Sequence, residues 1–363
     1  MKIKELLKKK EQGEKKINSR VVTQANLEES REEVLTKGKK FRYPFQYAKH
    51  RLMINAILIG LIALGAFAFV GWFQLYKMNS TGDVAYRFTR VIPLSVADVD
   101  GKKVRFSDYL MLYRSSIASI ERQQGKFDDS EDSKSQLEFY RRQALNSAED
   151  YAYAMALLDE LGKSVTDEEI DEVVNKHRMI EGEMRSEASF AGIVRENFGL
   201  SLTEYRRMLE LSLAKKKISV ETDTEARELA DKISKTLVSN KDMQAAIAEY
   251  ADSDKVTYET TNSAVGRDNL DSGRAEMAFA LEKVGDISEP FVSANGDGYY
   301  IVKLTAKAED SVSYESIWIR FTMFDQKMQE LREEEKVHER IKIDSDVAAD
   351  DEEPVIDETV EEQ

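Results

Sequence analysis

The chain contains no cysteine, three histidines and four prolines among 363 residues. Without cysteine there are no disulfides, no thiolate nucleophiles and no cysteine metal sites, and the chain loses nothing in an oxidising compartment. His50, His177 and His338 are too scattered to form an H-E-x-x-H pair, and they leave a Ser-His-Asp site almost no histidine to use. P-loop and post-strand G-x-G-x-x-G patterns are missing as well, which argues against nucleotide chemistry. Acidic pairs such as Asp128-Asp129 and Asp350-Asp351 lack EF-hand spacing and read as solvated loops. No metal and no cofactor is expected.

Charge is also missing from one long stretch. Leu52 to Tyr76 runs 25 residues without an ionisable acid or base. At about 1.5 Å rise per residue this exceeds the roughly 30 Å of a bilayer core, so it is expected to span a membrane once. Residues 1–51 hold 15 Lys+Arg against 7 Asp+Glu, a net +8, so the rest of the chain carries −23 of the total −15. Basic residues before the run and Trp72, Phe73 and Tyr76 at its end place the N-terminus inside and residues 77 onward outside. Ala66-Phe67-Ala68 resembles a signal-peptidase site, but a 51-residue leading segment and so long an apolar run argue against cleavage. A buried soluble helix fits less well, because the run has no polar face.

Residues 1–51 read as a mostly disordered basic segment, and the acidic tail 344–363, with ten acids and no base, reads as disordered too. Between them, residues 77–223 carry a linker (Lys77 to Arg90), a small hairpin turning at Asp100-Gly101, and helical patterns. Capping signatures mark helix starts at Thr166-x-x-Glu169 and Ser201-x-x-Glu204, and Gly199 marks a stop. Residues 224–308 change texture to α+β, with helices at about 224–237 and 241–252, strands at 256–261 and 298–304, and a short helix at 275–281. Residues 309–343 add a strand-forming run, Val312 to Phe321, and an amphipathic helix predicted over about Met323 to Ile341.

Two groups of motifs carry a resemblance. V-A-D-V-D-G-K-K-V-R-F-S-D-Y-L (Val96 to Leu110), V-T-D-E-E-I-D (Val165 to Asp171) and F-A-G-I-V-R-E-N-F-G-L-S-L-T-E-Y-R-R-M-L (Phe190 to Leu209) resemble the helical chaperone module of the SurA, PrsA and PpiD group of extracytoplasmic foldases. A-F-A-L-E-K-V-G-D-I-S-E-P-F and G-Y-Y-I-V-K-L are similar to the parvulin (PpiC) prolyl isomerase domain that such foldases carry. The resemblance implies a single transmembrane helix, an all-α chaperone domain and an α+β parvulin-like domain.

Carried over by position, the resemblance fails where parvulin chemistry sits. Tyr300 occupies the histidine position of the closing strand, G-x-H-I-I. The first strand, with its second histidine, has no room between Lys215 and Thr224. In the proline pocket Leu270 keeps its position, but Arg274 replaces an aromatic, while Phe279 and Leu281 lie in the F-A-L helix. Asp252 or Asp254 matches the acidic position. These residues, Asp254, Leu270, Arg274, Phe279, Leu281 and Tyr300, form the expected degenerate, peptide-binding site. Ser316-Ile-Trp-Ile319 has the texture of the missing first strand, with serine for histidine, as though that strand had moved to the end.

The leading expectation is a membrane-tethered chaperone that binds unfolded or secreted polypeptides without isomerase chemistry. An altered but active prolyl isomerase is the alternative, and a scaffold of secretion or cell-envelope machinery the second. Nucleic acid is not an expected partner; the basic arm is interrupted by acids and serves most simply as an orientation signal.

Overall fold

The computed structural model describes residues 24–180, 182–250, 253–267, 269 and 271–343. The chain divides into two compact units, residues 1–71 and 72–363. The first is built on helix α1 (Gln24–Tyr76), a continuous helix of 53 residues. Arg51–Tyr76 is long and apolar enough to cross a membrane, and its most apolar 18-residue window is not buried in the protein. Residues 24–50 were expected to lack regular structure and are helical instead. Extending a helix that already exists avoids the nucleation cost, and Glu33 and Lys37, one turn apart, pair at 2.7 Å. The first 23 residues and the acidic tail lie outside the described residues.

In the second unit the last turn of α1 is part of the fold. Leu75 is buried, the Tyr76 hydroxyl donates to the carbonyl of Ser95 at 2.7 Å, and the Tyr76 ring meets Phe106 edge-on at 5.5 Å. The expected linker is mostly helix. After a turn at Asn79, α2 (Asp83–Val91) buries Ala85, Tyr86 and Thr89. Only one of those three is large, which hid the helical period.

Strands β1 (Ser95–Val99) and β2 (Lys102–Arg105) form the expected hairpin. Asp100 and Gly101 both have positive φ (48° and 80°), the two-residue turn whose twist matches the strands. Helices α3 (Phe106–Gln124), α4 (Glu131–Glu160) and α5 (Asp167–Arg178) follow, and α5 starts on a complete Thr166/Glu169 capping box. A two-residue hairpin not anticipated from sequence, β3 (Met179–Ile180) and β4 (Glu183–Met184), precedes α6 (Glu187–Phe198). Gly199, at φ 64°, ends α6, and a Ser201/Glu204 box opens α7 (Leu202–Thr222). Phe106, Tyr109, Leu110, Leu145, Val194 and Leu211 centre the core of this module. His177, half-buried at its edge, has Nδ1 2.7 Å from the hydroxyl of the core residue Tyr205.

The second module runs α8 (Thr224–Asn240), α9 (Met243–Ile247), β5 (Val256–Thr260), β6 (Val265–Gly266), α10 (Arg274–Ala280), β7 (Phe291–Val292), β8 (Gly298–Lys307) and β9 (Ser311–Arg320). Its sheet has the order β5-β9-β8-β7, with every pairing antiparallel and β6 also on β9. Thus β9, the run at the end of the domain, is an inner strand. Ile317 and Ile319 are fully buried against α8, and Ile317 pairs with Ile301.

The chain then returns to the first module. The buried Asp223 carboxylate accepts from Ala226 N at 2.9 Å and from Thr322 N at 2.6 Å, so one side chain caps the starts of both α8 and α11 (Met323–Glu333). Phe324, Met328 and Leu331 of α11 enter the helical module's core. The helix was expected to continue to Ile341 and stops at Glu333. Glu335 takes φ 55°, and β10 (Val337–Glu339) pairs with β1, with His338 opposite Asp98. The open edge of β1 offers unpaired backbone groups that an extended segment satisfies and a helix does not.

Candidate functional site

Alternation along the strands decides which side chains meet. On the sheet face toward α10, Phe291, Tyr300 and Trp318 stand side by side on β7, β8 and β9. The Tyr300 and Trp318 rings stack at 6.2 Å with planes 13° apart, and Phe291 flanks Tyr300 at 6.2 Å. Ser316, two residues from Trp318 and therefore on the same face, sits opposite Val302 on one side and Glu259 on the other.

Arg274 closes this face. It is the first residue of α10, after Gly273 at φ 91°. Asp271 anchors that helix start: its carboxylate accepts from Ala275 N at 2.8 Å and from the Tyr314 hydroxyl. Arg274 Nε donates to the Asp271 carbonyl at 2.9 Å and Nη1 to the Glu259 carboxylate, and the guanidinium carbon lies 5.0 Å from the centre of the Tyr300 ring. The space above the aromatic row therefore holds the chain's own ion pair.

Burial pushes the Tyr300 hydroxyl up to about 12, only partly offset by the nearby Arg274 charge. The phenol stays protonated near neutral pH. It can donate a hydrogen bond but cannot accept a proton and return it as an imidazole does. Ser316 is buried, and its hydroxyl has no hydrogen-bond partner among the described residues; the same holds for Trp318 Nε1. Trp318 fits there because residue 298 is glycine: a Cβ on it would lie 2.6 Å from Nε1.

Of the expected site residues, the fold unites Arg274 and Tyr300. Phe279 and Leu281 belong to the neighbouring apolar core with Val302, Leu304 and Val312. Asp254 is exposed in the turn before β5, with no hydrogen bond or ion pair to Tyr300 among the described residues. Leu270 and Asp252 lie outside the described residues. Sequence reasoning missed Glu259, Asp271, Tyr314 and Trp318; three of the four lie at alternate positions of strand-forming runs, the only signal they carry.

Residues 45–219 match the family model of the SurA-like N-terminal domain, and residues 211–306 match that of the PPIC-type PPIASE domain. The chain has the domain architecture of a SurA/PrsA/PpiD-type foldase. No curated protein matches it. The two matches fall on the two modules of the chain, the helical one and the α+β one, and together imply polypeptide clients. The second match opens at residue 211, inside helix α7, and stops at 306, before β9. The chain thus has helix where that match begins, and completes its sheet with residues beyond the match.

Proposed function

We propose that the protein is a membrane-tethered extracytoplasmic chaperone that holds unfolded polypeptides, and that its parvulin-like domain has lost isomerase chemistry. The observation that carries this is the Arg274–Glu259 pair lying over Tyr300. Rotation about an X-Pro bond faces a barrier of about 18 to 20 kcal/mol, and a catalyst must hold the twisted amide better than the planar one. That requires a vacant apolar cradle and polar groups that exchange protons. Here a charge fills the cradle, and tyrosine and serine stand at the histidine positions. On this reading β9 takes the place of the family's first strand, displaced to the end of the domain. The site residues then serve at most as a closed relic of a peptide-binding face.

Tethering is supported by the apolar Arg51–Tyr76 stretch and the basic residues before it. Client binding rests on adaptable apolar burial, at about 25 cal/mol per Å². The test is an Ala-Pro peptide isomerisation assay run beside aggregation suppression of an unfolded client, both with the full chain in nanodiscs. Suppression without turnover is expected. Turnover that drops on Tyr300→Phe would overturn the reading, and absence of both activities would favour a scaffold of secretion machinery. Protease protection of the region after Tyr76 in sealed inverted vesicles tests the topology.

A further inference from the structure

The chain leaves the apolar stretch at Tyr76 without a flexible spacer. Leu75 and Tyr76 are already fixed in the helical module, and the turn behind them is closed by Lys77 N and Met78 N donating to the Phe73 carbonyl and Ser80 N to that of Gln74. Asn79 adds a bond to the Lys342 carbonyl at 2.6 Å. Six residues, 77–82, separate Tyr76 from α2. At 3.3 to 3.6 Å per step, the seven steps from Tyr76 to Asp83 hold the start of α2 within roughly 25 Å of the end of the stretch.

The inner face of α2 is covered by the module, and its outer face carries two exposed valines beside Asp83 and Arg87. Val84 and Val91 are 77% and 82% exposed, and Met78 just before the helix is 65% exposed. Positions 84, 87 and 91 share one stripe, which sets Arg87 between the two valines. Arg90, on the flank, is held by Glu204 at 3.0 Å, whereas Arg87 and Lys77 are exposed and enter no ion pair among the described residues. Apolar side chains flanked by long cations, at the end of a membrane-length helix, are the chemistry of a phospholipid interface.

We infer that the outer face of α2 rests on the outer leaflet of the bilayer, with Val84 and Val91 at the acyl boundary and Arg87 and Lys77 on anionic headgroups. This rests on the tethering reading. It makes the membrane part of the environment of α2.

The chain has no cysteine, so a single introduced one carries a unique label. Full-length Leu61→Cys, Val84→Cys, Val91→Cys and Lys235→Cys are labelled with an environment-sensitive fluorophore in vesicles of phosphatidylcholine and phosphatidylglycerol, and quenched with lipid-borne nitroxides. Deep nitroxides quench position 61, shallow ones quench 84 and 91 at least about twofold, and 235 is unaffected. Arg87→Glu lowers the quenching at 91 when phosphatidylglycerol is present. Quenching at 61 with none at 84 and 91 overturns this inference and leaves the tether standing, whereas none at 61 overturns both. Positions 84 and 91 shielded from iodide but untouched by lipid nitroxides would mean that a protein covers the face, which also overturns it.

Discussion

The guanidinium of Arg274 lies 5.0 Å from the centre of the Tyr300 ring while its Nη1 holds Glu259. Arg274 is mostly buried and Glu259 about half exposed, so the ion pair itself is screened by solvent, and the stacking on Tyr300 carries more of the stabilisation. Arg274→Ala is expected to destabilise the second module by about 1 to 2 kcal/mol and to shift the emission of Trp318, stacked on the same tyrosine. Urea unfolding followed by Trp318 fluorescence in a Trp72→Phe background checks this. Because Tyr300 and Ser316 remain, opening the face is expected to restore no isomerase turnover.

Gly298 begins β8 directly beneath the Trp318 indole. A Cβ there would press on the Ile319 carbonyl of the neighbouring strand and on Trp318 Nε1. The carbonyl belongs to the sheet ladder and cannot move without breaking it. Gly298→Ala is therefore expected to cost at least about 2 to 3 kcal/mol, at the upper end of overpacking effects. Thermal unfolding of the variant, with a transition unchanged from the parent, would contradict the packing described.

Local signals made much of this fold legible in advance. The capping boxes at Thr166 and Ser201, Gly199 and the Asp100-Gly101 turn each depend on residues a few positions apart, and each took the expected form. The resemblance brought out Arg274 and Tyr300 as positions. What stayed hidden depends on distant partners. Glu259 became the partner of Arg274 only through the β5-β9-β8 register, and β10 is a strand because β1, over 200 residues earlier, has an open edge. Helix α2 escaped notice because it turns Val84 and Val91 outward and buries Ala85 and Thr89, the reverse of the usual pattern.

Leu331 is fully buried in the core of the helical module although it follows the second module in sequence. Leu331→Ala is expected to cost about 2 to 5 kcal/mol, the range for truncating a buried leucine. The loss should fall on the first module. Hydrogen exchange should accelerate in α3, α4 and β1, and remain unchanged in the β8–β9 hairpin. Faster exchange confined to the hairpin would show that the C-terminal return stabilises the wrong module for this account.

Where that return docks, Glu149 of α4 is 1% exposed, with Oε1 unpartnered among the described residues and Oε2 3.4 Å from Arg332 Nη2. Burial first, and then the Glu339 charge on β10, push its carboxyl up to about 7, against the opposing pull of Arg332. Asp150 beside it is held by Lys215 at 2.9 Å. The unfolded carboxyl titrates near 4.5, so the folded state binds the proton more tightly between the two values. The stability contributed by the protonated form is fully present below about 4.5, declines between there and 7, and is lost above. Raising the pH from 5 to 8 should therefore weaken the docking of α11 and β10 through this group by up to about 3 kcal/mol, at 1.36 kcal/mol per unit. Glu149→Gln, which mimics the protonated form, should be more stable than the parent at pH 8 and should flatten the pH dependence. Chemical denaturation of both proteins at pH 5, 6.5 and 8 measures it, and parallel curves for the two would remove Glu149 as the cause.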